Sequence, residues 1–114
     1  MMNPPAFRVL QPEGILSANV AKQLLHQFNT YRQTEDTKFI LIDLQNVSMI
    51  DSFGLGTLVS MHSKLRMAGG RLYLCSLQKQ ARFLFDISAL DRMFDVFPDQ
   101  ATFRAAFQLE VASS

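Results

Sequence analysis

The apolar positions of this chain follow two rhythms, and the change from one to the other marks its most informative stretch. Phe39-Ile40-Leu41-Ile42 is a short, continuous apolar run bounded by polar residues, the pattern of a strand buried on both faces. From Leu55 onward the spacing becomes helical, through Leu55, Leu58, Val59, His62 and Leu65. Between the two lie a polar link, Gln45-Asn46-Val47-Ser48, and then Met49-Ile50-Asp51-Ser52-Phe53-Gly54. A serine therefore sits where a strand-derived loop turns into a helix.

The same reading extends along the chain. Pro4-Pro5 keeps the start extended, Phe7–Leu10 reads as a first strand, and after Pro12 and Gly14 the pair Ile15-Leu16 reads as a short return strand. Ser17 is placed to cap a helix running to about Tyr31, with Val20, Ala21, Leu24, Leu25, Phe28 and Tyr31 as its buried stripe. Thr34–Thr37 is a solvated connection. Gly69-Gly70 stops the second helix, and Leu72 and Leu74 mark a strand over Arg71–Cys75. Gln78–Ile87 fits a helix with Ala81, Leu84 and Phe85 on one side, and Phe94–Phe97 a short last strand. Pro98-Asp99 opens a final helix with the stripe Phe103, Ala106 and Phe107, and Val111–Ser114 reads as a frayed tail. Strands alternating with helices point to an α/β sandwich on a mostly parallel sheet.

Composition narrows the function classes. A chain of 114 residues makes one domain, with a core over about 7–107 and short flexible termini. Its 48% hydrophobic content, with ten Phe and no Trp, is that of a folded globule. A net charge of +1 gives no reason to expect nucleic acid or an anionic membrane as partner. Cys75 is the single cysteine, so an internal disulfide is impossible, which suits a reducing compartment; in its predicted strand it reads as a small buried hydrophobe. No apolar run reaches membrane-spanning length and the N-terminus carries no signal-peptide pattern, so the expected setting is the cytoplasm.

Enzymatic motifs are incomplete. Ser52-Phe53-Gly54 matches half of a nucleophile elbow, but Ile50 stands where that motif has glycine. His26 and His62 both fall within predicted helices, where a structural or surface role is the plain reading. His62 lies too far along the helix after Ser52 to hydrogen-bond it. Gly54-x-Gly56 lacks the third glycine and the lysine of phosphate-cradling loops, and no Cys/His set has metal-ligand spacing. The reading is a non-enzyme with no cofactor and no metal.

If Asp51 caps the helix, its carboxylate accepts the Gly54 N–H and Ser52 occupies the first turn. A phosphate there would meet free N–H groups and the positive end of the helix dipole, so the fold would tolerate it. On spacing alone Ser52 reads equally well as a mere capping residue. At 100° per residue, Phe53, Gly56, Thr57, Ser60, Lys64 and Met67 fall opposite the apolar stripe. Phe53 is then either an exposed interface anchor or a ring folded beneath a neighbouring loop.

The pattern Ile42-Asp43-Leu44, Val47, Ile50-Asp51-Ser52-Phe53-Gly54-Leu55-Gly56, Leu58 resembles the core of the STAS domain, and more closely that of bacterial anti-sigma factor antagonists. Gly14-Ile15-Leu16, the Ala68-Gly69-Gly70 turn with Arg71–Cys75, and Phe94–Phe97 also fall where the family has them, so the resemblance spans roughly Phe7 to Phe107. It implies a STAS-like sandwich, a mixed and mostly parallel sheet of four to five strands with about four helices. It also implies that Ser52 is a phosphoacceptor. The implied partners are a serine-kinase anti-sigma factor, which brings its own ATP, and a PP2C-type serine phosphatase. The kinase would dock on Ser48, Asp51, Ser52, Phe53, Gly54, Gly56, Thr57, Ser60 and Lys64. Many relatives carry a small residue after the phosphoacceptor, where this chain has Phe53. The other role the family offers is a STAS subunit regulating a transporter or scaffold complex without a phosphorylation cycle.

Overall fold

A computed structural model describes residues 7–112. Four strands, β1 (Phe7–Leu10), β3 (Phe39–Asp43), β5 (Arg71–Cys75) and β6 (Asp95–Phe97), form a sheet in the order β1-β3-β5-β6, every pair parallel. Two more, β2 (Gly14–Leu16) and β4 (Val47–Ile50), pair in parallel as a separate ribbon. The helices are α1 (Ala18–Thr34), α2 (Ser52–Met67), α3 (Lys79–Ile87) and α4 (Gln100–Ala112), with a 3₁₀ turn at Leu90–Arg92.

The central strand is buried on both faces, as its continuous apolar run requires. Ile40 and Ile42 join Leu72 and Leu74 in a core with Leu24 and Phe28 of α1, Leu58, Met61 and Leu65 of α2, and Phe85 of α3. Leu41 points the other way, into a smaller cluster with Cys75 and Phe103, closed by Phe7, Tyr73, Phe97 and Phe107. Each buried Leu or Phe stabilises the fold by about 2 kcal/mol relative to leaving it exposed. Cys75 is a buried thiol that burial pushes up to about 11, the inert hydrophobe expected of it.

Several details depart from the sequence reading. Ile15-Leu16 is a strand, and it pairs with β4, a strand that includes Val47-Ser48, where a polar link was expected. The alternation is broken there because Ser48 is an extra residue in β4. Gly14 lies opposite Val47, yet Ile15 lies opposite Met49, so Ser48 and Met49 both face outward. Met61 replaces His62 on the innermost line of α2, and Ala106 is exposed rather than part of the α4 stripe. α1 runs on to Thr34, and α4 is helical through Ala112, where a frayed tail was expected. Pro4-Pro5 and Ser113-Ser114 lie outside the described residues.

The ends of the sheet strands are tied by side-chain amides. Asp43 is buried, and its Oδ2 accepts from Gln11 (2.9 Å) and Gln100 (3.0 Å) while Oδ1 accepts from the Gln45 N–H (3.0 Å). Burial alone raises a carboxyl pKa, but these hydrogen bonds and one from Ser76 outweigh it and hold Asp43 below the ordinary carboxylate value.

The start of α2 is fixed by two contacts. Asp51 is extended (φ −96°, ψ −178°) and its Oδ1 accepts the Gly54 N–H at 2.9 Å, capping the helix as its position predicted. Gly54 is buried against β2: a Cβ there would stand 2.0 Å from the Leu16 carbonyl oxygen and 2.9 Å from Leu16 Cγ. Gly56, two residues on, faces open space. The two glycines should therefore respond oppositely to Ala. Gly54→Ala should lose roughly 3 kcal/mol or more, since backbone cannot yield as a side chain can. Gly56→Ala should gain about 0.5–1 kcal/mol through helix propensity, and Asp51→Ala should lose about 1 kcal/mol with the cap. Urea midpoints measure all three, and a wild-type midpoint for Gly54→Ala would show that the close approach to Leu16 does not constrain the helix.

Candidate partner-docking site

The cap and the glycine together decide what the head of α2 displays. With Gly54 turned inward against Leu16, the two preceding positions point outward. Ser52 is exposed as the first residue of the helix, and the Phe53 ring is 54% exposed beside it. The first turn carries no acidic residue after the Asp51 cap. The Phe53 carbonyl accepts from Thr57 Oγ1 at 3.0 Å, so the ring's own backbone is held in the helix. Of the two readings open for Phe53, the exposed one is what the structure has.

The bulge in β4 adds to this surface. Ser48 is exposed, and Met49 (48% exposed) lies directly across from Ile15 (53% exposed) on the outer face of the ribbon. Two half-exposed apolar residues thus face outward on the ribbon that leads into α2. Ile15 and Met49 were not anticipated, because the bulge removes the alternation from which an outward position is read.

The anticipated residues divide by place. Ser48, Asp51, Ser52, Phe53 and Gly56 are exposed around the helix start; Thr57, Ser60 and Lys64 are half-buried along α2. Lys64 stands about 18 Å along the axis from Ser52 at 1.5 Å per residue, so it extends the surface rather than touching the serine. Gly54 is the exception: it is buried and acts from beneath, by setting the helix against Leu16.

No triad assembles at Ser52. His62 lies about 15 Å along α2 from it. It packs edge-on against Phe94, with ring centroids 5.1 Å apart, and burial followed by the Arg66 charge holds its pKa below the ordinary histidine value. His26 is exposed on α1. Among the described residues no group of His, Cys, Asp and Glu could hold a metal, and no helix is long and apolar enough to cross a membrane.

Similar proteins share this architecture. The anti-sigma F factor antagonist of Paenibacillus polymyxa is 23% identical over 105 residues, covering 92% of this chain and 88% of that protein. The anti-sigma factor antagonist SpoIIAA in its unphosphorylated form superposes with a TM-score of 0.69 at 17% identity, covering 96% of this chain and 94% of that one. Its phosphorylated form gives 0.68 at 19%, covering 93% and 95%. A sulfate transporter family protein from Wolinella succinogenes superposes with a TM-score of 0.78 at 17% identity, covering 97% and 99%. The STAS domain pattern matches residues 3–103. With the two-sheet fold and the Asp51-Ser52 helix start in place, the chain belongs to the STAS domain family.

Proposed function

We propose that the chain is an anti-sigma factor antagonist, a binding module that holds a kinase-type anti-sigma factor while Ser52 is unmodified and releases it once Ser52 is phosphorylated. The observation that carries this reading is the head of α2: a hydroxyl on the first helical residue, exposed beside an exposed aromatic ring, with the cap beneath it supplied by a different residue. Ser52 is therefore free of the capping role that was its plain alternative. The curated relative named as an anti-sigma F factor antagonist supports the same reading.

Unmodified Ser52, Phe53 and the Ile15–Met49 pair would form the contact. The partner would transfer the γ-phosphoryl group of ATP to Ser52 Oγ, and a PP2C-type phosphatase would remove it by hydrolysis. The phosphate brings about −1.5 to −2 charge to a surface that must be desolvated for docking, while the helix N-terminus keeps the fold itself tolerant of it. A partner that uses ATP places the cycle in the cytoplasm.

A second reading is favoured by the fold likeness to a sulfate transporter family protein: a STAS subunit serving a transporter, with the same face docked permanently. The two differ in whether Ser52 ever carries phosphate. Incubated with the kinase-type anti-sigma factor of the source organism and Mg-ATP, the protein should gain one phosphate, mapped by mass spectrometry to Ser52. Phosphate that persists in Ser52→Ala, on Thr57 or Ser60 for example, would reassign the site, and none on wild type would favour the transporter reading. Ser52→Asp should keep its melting temperature and bind the kinase more weakly; equal affinity would sink an electrostatic switch.

Phe53→Ala tests the surface independently. A buried phenylalanine costs about 3–5 kcal/mol when truncated, whereas an exposed anchor costs little stability and roughly 1–2 kcal/mol or more of binding. The expected result is near-wild-type melting with about tenfold weaker binding or worse. Unchanged binding would remove the ring from the interface.

A further inference from the structure

β4 delivers Ser52, yet only one of its edges is paired. Its partner is β2, and among the described residues no strand lies on the other side. Ile50, the last residue of β4, points its backbone groups toward that open edge, where the Gln80 side chain from the first turn of α3 meets both. Gln80 Oε1 accepts the Ile50 N–H at 2.8 Å, and Gln80 Nε2 donates to the Ile50 carbonyl at 3.0 Å. One side-chain amide thus presents the acceptor and donor that a residue of a neighbouring strand would present. Gln78, two residues earlier, makes a single bond to the link that precedes β4. It occupies the N-cap of α3 without capping it, and its amide donates instead to the Gln45 carbonyl.

Ile50 precedes Asp51 and Ser52 directly, so the clamp lies immediately upstream of the helix start. Asp51 is held in turn by its own N–H, which donates to the Leu16 carbonyl at 3.3 Å, and by its bond to Gly54. The Ile50 side chain is in the core, which fixes the residue's depth, but burial does not fix rotation of its peptide about the strand axis. On the β2 side the Asp51 N–H bond to Leu16 holds the Ile50–Asp51 peptide, and on the open edge the bidentate Gln80 contact holds the Ile50 N–H and carbonyl. Both Gln80 bonds are part-buried, so water is a poorer replacement than at a free edge.

We propose that Gln80 is a positioning residue for the Ser52 switch: through Ile50 it sets the orientation from which the Ser52 hydroxyl is presented to the incoming phosphoryl group. This inference rests on the phosphorylation reading above. In-line transfer is sensitive to misplacement, and a shift of about 1 Å can cost on the order of a hundredfold in rate. The bonds of Gln80 are to Ile50 and not to Ser52, so its influence on the serine would pass through the backbone it holds.

Gln80→Met keeps the volume and removes both bonds; Gln80→Glu keeps an acceptor for the Ile50 N–H but sets a carboxylate against the Ile50 carbonyl. Two readouts apply to each: amide hydrogen exchange at Ile50, Asp51 and Ser52 relative to Ile42 in the central strand, and the kinetics of phosphate transfer to Ser52 from the purified kinase-type anti-sigma factor with Mg-ATP. In Gln80→Met, exchange at Ile50 should accelerate about tenfold or more while Ile42 stays protected, a local rather than global loosening. The transfer rate at saturating kinase should fall about tenfold with KM little changed, the signature of lost positioning rather than lost affinity. Gln80→Glu should fall between Gln80→Met and wild type. Unchanged exchange at Ile50, or a wild-type transfer rate despite faster exchange, overturns the assignment while leaving the switch intact. Wild-type protein that accepts no phosphate on Ser52 overturns both, and that outcome is seen before any Gln80 variant is made.

Discussion

The contact on which the rest of this structure depends is the approach of Gly54 to the Leu16 carbonyl. A helix normally meets a strand across a layer of side chains; here the first turn of α2 meets β2 with no side chain between them. That proximity puts the Asp51 N–H within reach of Leu16 and leaves the Asp51 carboxylate free to cap the helix. It also fixes rotation about the helix axis. Once Gly54 faces inward, Leu58, Met61 and Leu65 follow it into the core, and Ser52 and Phe53 have nowhere to point but outward. The exposure of the candidate switch is thus a consequence of one missing Cβ.

A second principle of construction is the use of glutamine amides in place of strands or charges. Asp43 lies at the end of the central strand, buried and ionised, yet its oxygens are met by neutral amides and backbone rather than by a cation. An arginine in that position would supply more electrostatic energy but would itself need desolvating. Amide donors satisfy the lone pairs at lower cost and join three separate segments, after β1, before β4 and at the start of α4. Gln80 does the same for the open edge of β4 at Ile50, and Gln78 for the Gln45 carbonyl in the link before it. The exposed ion pairs, Arg8–Glu35 and Arg71–Asp95, sit at the surface where screening leaves them little to contribute.

Which of these features could be read from the sequence follows from how local their causes are. The cap at Asp51, the helix after it and the central strand depend on contacts within a few residues or on a strong periodicity, and all were legible. For Phe53 the periodicity left two readings, which the fold decides. β4 was not, because its bulge places Ser48 and Met49 on the same side and leaves no alternation to detect. The partner of β2 was not legible for a related reason: the bond network joins it to a strand some thirty residues on, beyond any local signal. Gln80 illustrates the limit most clearly. A glutamine in the first turn of an amphipathic helix looks like a solvated residue, and only the fold shows that it stands in for a strand.

The separation of roles at the helix start is what the proposed switch would require. In a simpler arrangement the serine would cap the helix itself, and phosphorylating it would trade away a structural bond along with changing the surface. Here Asp51 caps, Gly54 packs, Gln80 holds the approach through Ile50, and Ser52 makes none of these bonds. Its modification would leave every fixed contact in place, and the positive end of the helix dipole offsets part of the repulsion from Asp51. The free energy of added charge then falls on whatever must desolvate that surface, and not on the fold. A partner's affinity could then change by orders of magnitude while the domain itself stays folded, which is the condition the proposed switch needs in order to be reset and used again.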